Sequence, residues 1–60
     1  MTQAPNSVTI TKARHDRRLT QTQAANLVGV TLRSWQSWES GQHKMPSGLW
    51  ELFQIKTKLN

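Results

Sequence analysis

The sequence has no cysteine, few acidic residues and no long apolar run. The absence of cysteine excludes disulfide bonds and thiolate metal sites, which leaves oligomerisation as the expected support for a small core. No apolar stretch approaches the roughly 18–20 residues that a membrane span needs, and no hydrophobic segment marks a signal peptide. The 60 residues leave room for one domain. We therefore expect a single soluble, cytoplasmic domain.

Basic residues outnumber acidic residues by a wide margin. Eight Lys and Arg residues against three Asp and Glu residues give a formal net charge of +5. Such an excess in a small domain is typical of proteins that bind a polyanion. The same excess also keeps a protein soluble, so charge alone does not separate the two interpretations. Three of the cations are most simply a solvated basic face, with a contact along a nucleic-acid backbone as the alternative, namely Lys12, Arg17 and Arg18.

The chain begins with a polar segment and continues with helical patterns. Residues 1–7 contain Pro5 and show no periodicity, which predicts a loose arm ahead of a domain at residues 8–60. In the first helical segment, Ile10 and Ala13 lie at helical spacing and share one face.

Capping signals predict two further helices. Thr20 and Gln23 have the spacing of a capping box at the start of the second helix, and Gly29 is a stop residue that accepts the left-handed conformation. Thr31 is the next N-cap candidate, ahead of a third helix over residues 32–40 that stops at Gly41, a second C-cap glycine.

The last helical pattern is unusually apolar. Pro46 or Ser47 opens it, and a fourth helix is expected from Gly48 to about Leu59. One face of this helix is expected in the core, and it carries Leu49, Leu52, Phe53 and Leu59. Together these patterns predict an all-α fold of four to five short helices.

Residues 20–41 carry the strongest functional signal. Two short helices meet at a tight turn that holds Gly29, and Ala25 is small where the two backbones approach. This is the helix-turn-helix pattern. The positions that hold the helix pair against the domain are all apolar, namely Ala24, Val28, Val30, Trp35 and Trp38.

Several short motifs occur in a fixed order between about residues 10 and 52. They are Ile10-x-x-Ala13-Arg14, Leu19-Thr20-Gln21, Ala24-Ala25, Gly29-Val30-Thr31, Trp38-Glu39-x-Gly41 and Met45-Pro46. In this order and spacing they resemble the Cro/phage-repressor class of helix-turn-helix domains, the XRE family, which implies a lambda-repressor-like fold. The last two motifs are also similar to those of small autoregulators encoded beside phage, toxin–antitoxin and anti-CRISPR genes.

The resemblance implies that the third helix contacts DNA bases. In such domains the second helix of the pair enters the major groove with its N-terminal residues on base edges. Arg33 is the strongest candidate, because it is the only cation of this helix. Its guanidinium group can donate two hydrogen bonds to guanine, at O6 and N7. The implied function is a sequence-specific regulator of transcription, expected to repress its own operon. The resemblance implies base contacts at four positions, Leu32, Arg33, Gln36 and Ser37.

The resemblance also assigns residues to DNA phosphates and to an ion pair. Arg14 and Glu39 match a partly buried ion pair of the family, so Arg14 is expected to be structural although it is basic. Contacts to phosphates hold the register of such domains on DNA. The positions that match the phosphate-binding ones are Gln21, Thr31, Ser40 and Lys44.

A homodimer is favoured by the resemblance and by the small core. Repressors of this class bind two half-sites about 34 Å apart, which predicts a palindromic operator. Trp50 and Ile55 flank the core face of the fourth helix and are the interface candidates.

Other functions are alternatives to DNA binding for a sequence of this kind. A protein-interaction module that reuses the fold would carry acidic or bulky residues on the third helix, and a structured RNA is an alternative partner for the same basic surface. Three tryptophans suit stacking on single-stranded bases, but the motif places Trp35 and Trp38 in the core. No nucleophile is paired with a base, and His15 and His43 lack further ligands at metal-binding spacing. We therefore expect no enzyme activity, no cofactor and no metal site.

Overall fold

Four helices make up the described part of the chain. A computed structural model describes residues 4–58, and no strand occurs within that range. The helices are α1 (Ser7–Asp16), α2 (Gln21–Val28), α3 (Leu32–Ser40) and α4 (Ser47–Lys56). The all-α prediction is therefore confirmed. None of these helices has the length and apolar character that crossing a membrane requires.

Side-chain caps fix where the first three helices begin. The Asn6 side chain accepts a hydrogen bond from the Thr9 N–H at 2.8 Å, so α1 begins one residue before the boundary expected at residue 8. The Thr20 hydroxyl accepts from the Gln23 N–H at 3.1 Å, and the Gln23 side chain accepts from the Thr20 N–H at 2.8 Å. The predicted capping box is thus confirmed. Thr31 caps α3, as its sequence position predicts.

Residues in the left-handed conformation end α2 and α3. Gly29 follows α2 with φ at +74°, and Gly41 follows α3 with φ at +84°. Glycine adopts this conformation at little cost, so both predicted stops are confirmed. The Val30 N–H then donates to the Ala25 carbonyl at 3.0 Å and turns the chain into α3. Arg18, between α1 and α2, also has a positive φ of +56° although it is not glycine.

Aromatic rings form the centre of the core. Trp35 and Phe53 are fully buried, and their ring centroids lie 5.2 Å apart. The Trp38 ring lies 5.5 Å from that of Trp35 and is 7% exposed. Both tryptophans of α3 are therefore core residues, as predicted. Around them are the other buried apolar side chains, Ile10, Ala13, Ala24, Ala25, Val28, Met45 and Trp50.

The fourth helix differs from its prediction in length and in the face that it buries. It ends at Lys56 with Thr57 as the C-cap rather than near Leu59, which lies outside the described residues. Trp50, which the pattern assigns to a dimer interface, is only 8% exposed and stacks on Phe53 with the ring planes 18° apart. Residues three apart share a helix face, so Trp50 enters the core together with Phe53. Its assignment to an interface is wrong.

Three other apolar side chains of α4 lie at the edge of the core or outside it. Leu49 and Leu52, predicted inside the core, are only half-buried and pack against its rim. Ile55 is 66% exposed. Of the two interface candidates, Ile55 is therefore the one whose side chain is open to a partner.

Arg17 joins the end of α1 to the end of α4. Its Nε donates to the Thr57 hydroxyl at 2.6 Å and to the Thr57 carbonyl at 3.2 Å, and its Nη1 donates to the Ala13 carbonyl at 3.0 Å. The guanidinium carbon also lies 5.3 Å from the centroid of the Phe53 ring, within the range of a cation–π contact. The prediction that Arg17 belongs to a solvated face is therefore wrong, because the side chain is half-buried and its Nε and Nη1 are bonded within the domain.

Candidate nucleic-acid interface

The exposed face of α3 brings together the four residues that the resemblance assigns to bases. Arg33 and Gln36 are exposed, Leu32 is 39% exposed, and Ser37 is half-buried between them. The spacing of three and four residues places Arg33, Gln36 and Ser37 on one side of the helix. The other side of α3 packs against α1 and α2.

The side chains of this face differ in the hydrogen-bond donors and acceptors that remain free. The Ser37 hydroxyl donates to the Arg33 carbonyl at 3.0 Å, so Ser37 retains only acceptor capacity. The Arg33 guanidinium is in no ion pair with any residue of the described range, where the only pair joins Arg14 to Glu39. None of the hydrogen bonds between the described residues involves its N–H donors either, so the guanidinium is available for a ligand. Leu32 adds an apolar surface beside it.

No exposed carboxylate lies on this face. The chain has three acidic residues in total, Asp16, Glu39 and Glu51. Asp16 ends α1 and Glu51 lies within α4, while the Glu39 side chain is turned inward and is 6% exposed. The charge on the exposed side of α3 is consequently that of Arg33 alone.

Arg14 and Glu39 form the partly buried ion pair that the resemblance implies. Arg14 Nε lies 2.5 Å from Glu39 Oε2, and Arg14 Nη2 lies 3.0 Å from Glu39 Oε1. The two side chains are 13% and 6% exposed. Arg14 Nη1 also donates to the Leu19 carbonyl at 2.9 Å. The guanidinium is thus committed to holding α1 against the end of α3.

Two further donors converge on the Glu39 carboxylate. Trp35 Nε1 donates to Oε2, and Gln21 Nε2 donates to Oε1 at 3.1 Å. Burial alone raises the pKa of the Glu39 carboxyl, but the hydrogen bonds from Arg14, Trp35 and Gln21, with the charge of Arg14, outweigh it and hold the pKa below its ordinary value. Glu39 is therefore an ionised acceptor at neutral pH.

Gln21 is half-buried at the first turn of α2 and bridges two residues of α3. While its Nε2 donates to Glu39, its Oε1 accepts from Gln36 Nε2 at 3.3 Å. One N–H of the Gln21 amide remains for an outside acceptor such as a phosphate oxygen.

Two of the other phosphate candidates use their hydroxyl hydrogens within α3. Thr31 donates to the Ser34 hydroxyl at 3.1 Å, and Ser40 donates to the Ser37 carbonyl at 3.0 Å. A contact from either hydroxyl to a phosphate oxygen, which only accepts, requires that bond to break.

Lys44 lies in the loop that follows α3 and is exposed. Its neighbour His43 shares a groove with Arg33, Ser37 and Trp38. The His43 N–H donates to the Ser37 carbonyl at 3.2 Å, which ties the loop to α3. Lys44 itself lines a neighbouring groove, together with Asn6, Ser7 and Trp38.

Sequence reasoning missed the hydrogen bonds that link Gln36, Gln21 and Glu39. Trp35 and Glu39 are four apart on one helix, a spacing that could have signalled their contact. Gln21 lies 18 residues from Glu39 and 15 from Gln36, so no local pattern indicates that it joins them.

The comparisons with known proteins give this chain no family. No protein-family model matches it, and no curated protein sequence matches it. Its place in the Cro/phage-repressor class therefore stays a prediction from the order and spacing of its motifs.

Proposed function

We propose that this protein is a sequence-specific regulator of transcription that binds double-stranded DNA with α3 in the major groove. The observation that carries the proposal is the exposed face of α3, where Arg33 is exposed and takes no part in the one ion pair found among residues 4–58. An α-helix fits the width of the major groove, and the guanidinium fork matches the two acceptors of guanine there. Trp35 and Glu39 anchor the opposite face, so the helix is held rigidly.

The distribution of exposed cations supports a contact with phosphates close to this helix. Arg14 and Arg17 are occupied inside the domain, whereas Arg33 and Lys44 are exposed. Lys44 and the remaining N–H of Gln21 are the side-chain groups that we assign to the DNA backbone. Such contacts set the register of the helix, and the groove residues supply the sequence preference.

A homodimer on an inverted repeat is part of the proposal. The domain has a small core, and Ile55 is an exposed apolar side chain next to the half-buried Leu52 face of α4. We expect sedimentation at high micromolar concentration to show a dimer that Ile55→Asp converts into a monomer. A wild-type monomer at that concentration would remove the dimer from the proposal without touching DNA binding.

The resemblance to small autoregulators favours the DNA upstream of the protein's own gene as the operator. The test compares this DNA with a scrambled duplex of the same composition at two salt concentrations. Arg33→Ala is the test variant, and Lys56→Ala is the matched control, because it removes the same charge from an exposed position on α4.

Affinity for both duplexes should fall steeply with salt, because cations that bind phosphates release counterions. The upstream DNA should bind more tightly, and Arg33→Ala should narrow that difference by roughly tenfold while Lys56→Ala leaves it unchanged. Equal binding of the two duplexes at both salt concentrations contradicts the proposal. Preferential binding of the transcript would favour RNA instead, and no nucleic-acid binding at all would favour a protein partner.

A further inference from the structure

The loop after α3 holds His43 at the edge of that helix. His43 is exposed, and its backbone N–H donates to the Ser37 carbonyl at 3.2 Å. Two residues further along the chain, the Met45 side chain is fully buried. The backbone of His43 is therefore fixed against the domain while its side chain remains accessible to a ligand.

The described residues around His43 are cationic or neutral. One groove lies between the loop and α3, and His43 shares it with Arg33, Ser34, Ser37 and Trp38. A second groove lies between the loop and residues 4–7, and His43 shares it with Trp38, Gly41 and Lys44. The charged residues that line these two grooves are Arg33 and Lys44, and no described carboxylate lines either of them. A protonated His43 ring thus has only solvent or an outside anion as a partner for its charge.

We propose that His43 is a further contact to the DNA backbone, which the protonated ring makes and the neutral ring does not, so that the domain takes up a proton when it binds DNA. This inference rests on the proposed insertion of α3 in the major groove, because the groove is bordered by phosphates. A protonated imidazole has two N–H donors and a positive charge, whereas a neutral imidazole has one donor and no charge. A phosphate oxygen only accepts, and it binds a charged donor more strongly than a neutral one.

The direction of the pH effect follows from this contact. Histidine side chains change charge near pH 6.5. A phosphate beside the ring favours its charged form, so affinity for DNA should rise as the pH falls from about 7.5 to about 5.5, on either side of that value. The domain stays folded in this window, because the contribution of Glu39 is lost only below about pH 4.3.

The experiment measures binding of the full-length protein to a scrambled DNA duplex, because a backbone contact does not depend on sequence. Wild type and three variants are compared at the two pH values and at several salt concentrations. His43→Gln keeps a polar side chain that cannot become charged, and His43→Lys keeps the positive charge at both pH values. His15→Gln is the matched control, because His15 is the other histidine of the chain and is exposed on α1.

Wild type and His15→Gln should bind roughly fivefold more tightly at the lower pH, which is the scale of an exposed charge contact. Their salt dependence should also steepen there by about one phosphate contact per domain. His43→Gln should show the weaker binding at both pH values, and His43→Lys the tighter binding at both.

Three results overturn the inference and leave the proposed function intact. They are a wild-type affinity that does not depend on pH, a pH dependence that His43→Gln retains, and a pH dependence that His15→Gln removes. A wild-type protein that binds no DNA at either pH overturns both.

Calorimetry tests the proton uptake directly. By linkage, an affinity that rises with proton concentration requires that protons are taken up on binding. Titrations near pH 6.5 in two buffers of different ionisation enthalpy should show uptake of part of a proton per domain by the wild type and none by His43→Gln. Equal uptake by the two proteins contradicts the assignment to His43.

Discussion

The two faces of α3 differ in what their side chains contact. One face packs and bonds within the domain, and the other is exposed. The inner face carries the buried Trp35 and the partly buried Glu39, which are hydrogen-bonded to one another, and Glu39 is also bonded to Arg14 of α1. The outer face carries Arg33 and Gln36, which are exposed and have donors or acceptors to spare. The inner face therefore contributes the stability of the domain, and the outer face is available for a ligand.

This division shows how a helix of nine residues serves two purposes. A spacing of 3.6 residues per turn places Gln36 directly after Trp35 along the chain but on a different side of the helix. Substitutions at neighbouring positions should consequently separate loss of stability from loss of binding.

The largest loss of stability is expected when the Trp35 ring is removed from the inner face. Trp35→Ala removes a fully buried ring, a change that typically costs about 3–5 kcal/mol. A core of this size rarely supplies more than about 3–5 kcal/mol in total, so the variant should be largely unfolded by circular dichroism at room temperature. A cooperatively folded Trp35→Ala protein would show that α3 does not depend on this ring.

Breaking the ion pair should cost nearly as much. Arg14→Ala leaves Glu39 buried without its cation, which we expect to lower the free energy of unfolding by about 3 kcal/mol in urea denaturation. Lys12→Ala is the control on the same helix, because Lys12 is exposed, and it should stay within about 0.5 kcal/mol of the wild type. If Arg14→Ala weakened DNA binding with no loss of stability, the structural role of Arg14 would be wrong.

The ion pair should also make stability depend on acid pH. Because folding lowers the pKa of Glu39, its contribution is complete above the ordinary glutamate pKa of about 4.3 and is lost as the pH falls through the lowered value. Thermal melts between neutral and acid pH should therefore show a falling melting temperature in this window. Glu39→Gln should be less stable at neutral pH and should flatten this part of the profile. An unchanged profile would contradict the assignment.

A smaller loss of stability is expected at Gly29, in the turn between α2 and α3. A Cβ on Gly29 would meet no atom within 4 Å, so the cost of Gly29→Ala is that of a positive φ, about 1 kcal/mol. Gly48→Ala is the matched control, since Gly48 lies within α4 with equally open space and should gain about 0.5–1 kcal/mol. Chemical denaturation of both variants should give shifts of opposite sign.

The smallest change in stability is expected on the outer face. Arg33→Ala should leave the free energy of unfolding within about 0.5 kcal/mol of the wild type, because Arg33 is exposed and supports no neighbour. The same variant should lose discrimination between operator and scrambled DNA. A destabilisation well above this range would show that Arg33 belongs to the fold and not to the ligand surface.

The parts of the fold that could be predicted are those decided over a few residues. The capping box of Thr20 and Gln23 and the glycine stops at Gly29 and Gly41 are local, and each occurs where the sequence indicates. The exposed face of α3 follows from the same local periodicity, because the two tryptophans define its buried side.

The parts that could not be predicted depend on contacts between distant residues. Arg17 bonds to Thr57, 40 residues away, so its side chain could not be distinguished from a solvated cation. Trp50 was misplaced because α4 is apolar on more than one side, and periodicity does not say which side meets the core. Within the candidate site, the link from Gln36 through Gln21 to Glu39 was hidden for the same reason.

The residues on either side of Lys44, His43 and Met45, hold its loop against the rest of the domain. The Met45 side chain is fully buried, and the His43 N–H is bonded to α3. A cation on a loop fastened in this way loses little conformational entropy when it meets a phosphate, which favours tight association. Because the Met45 side chain is fully buried, the position of Lys44 depends on the packing of the core and not on the loop alone.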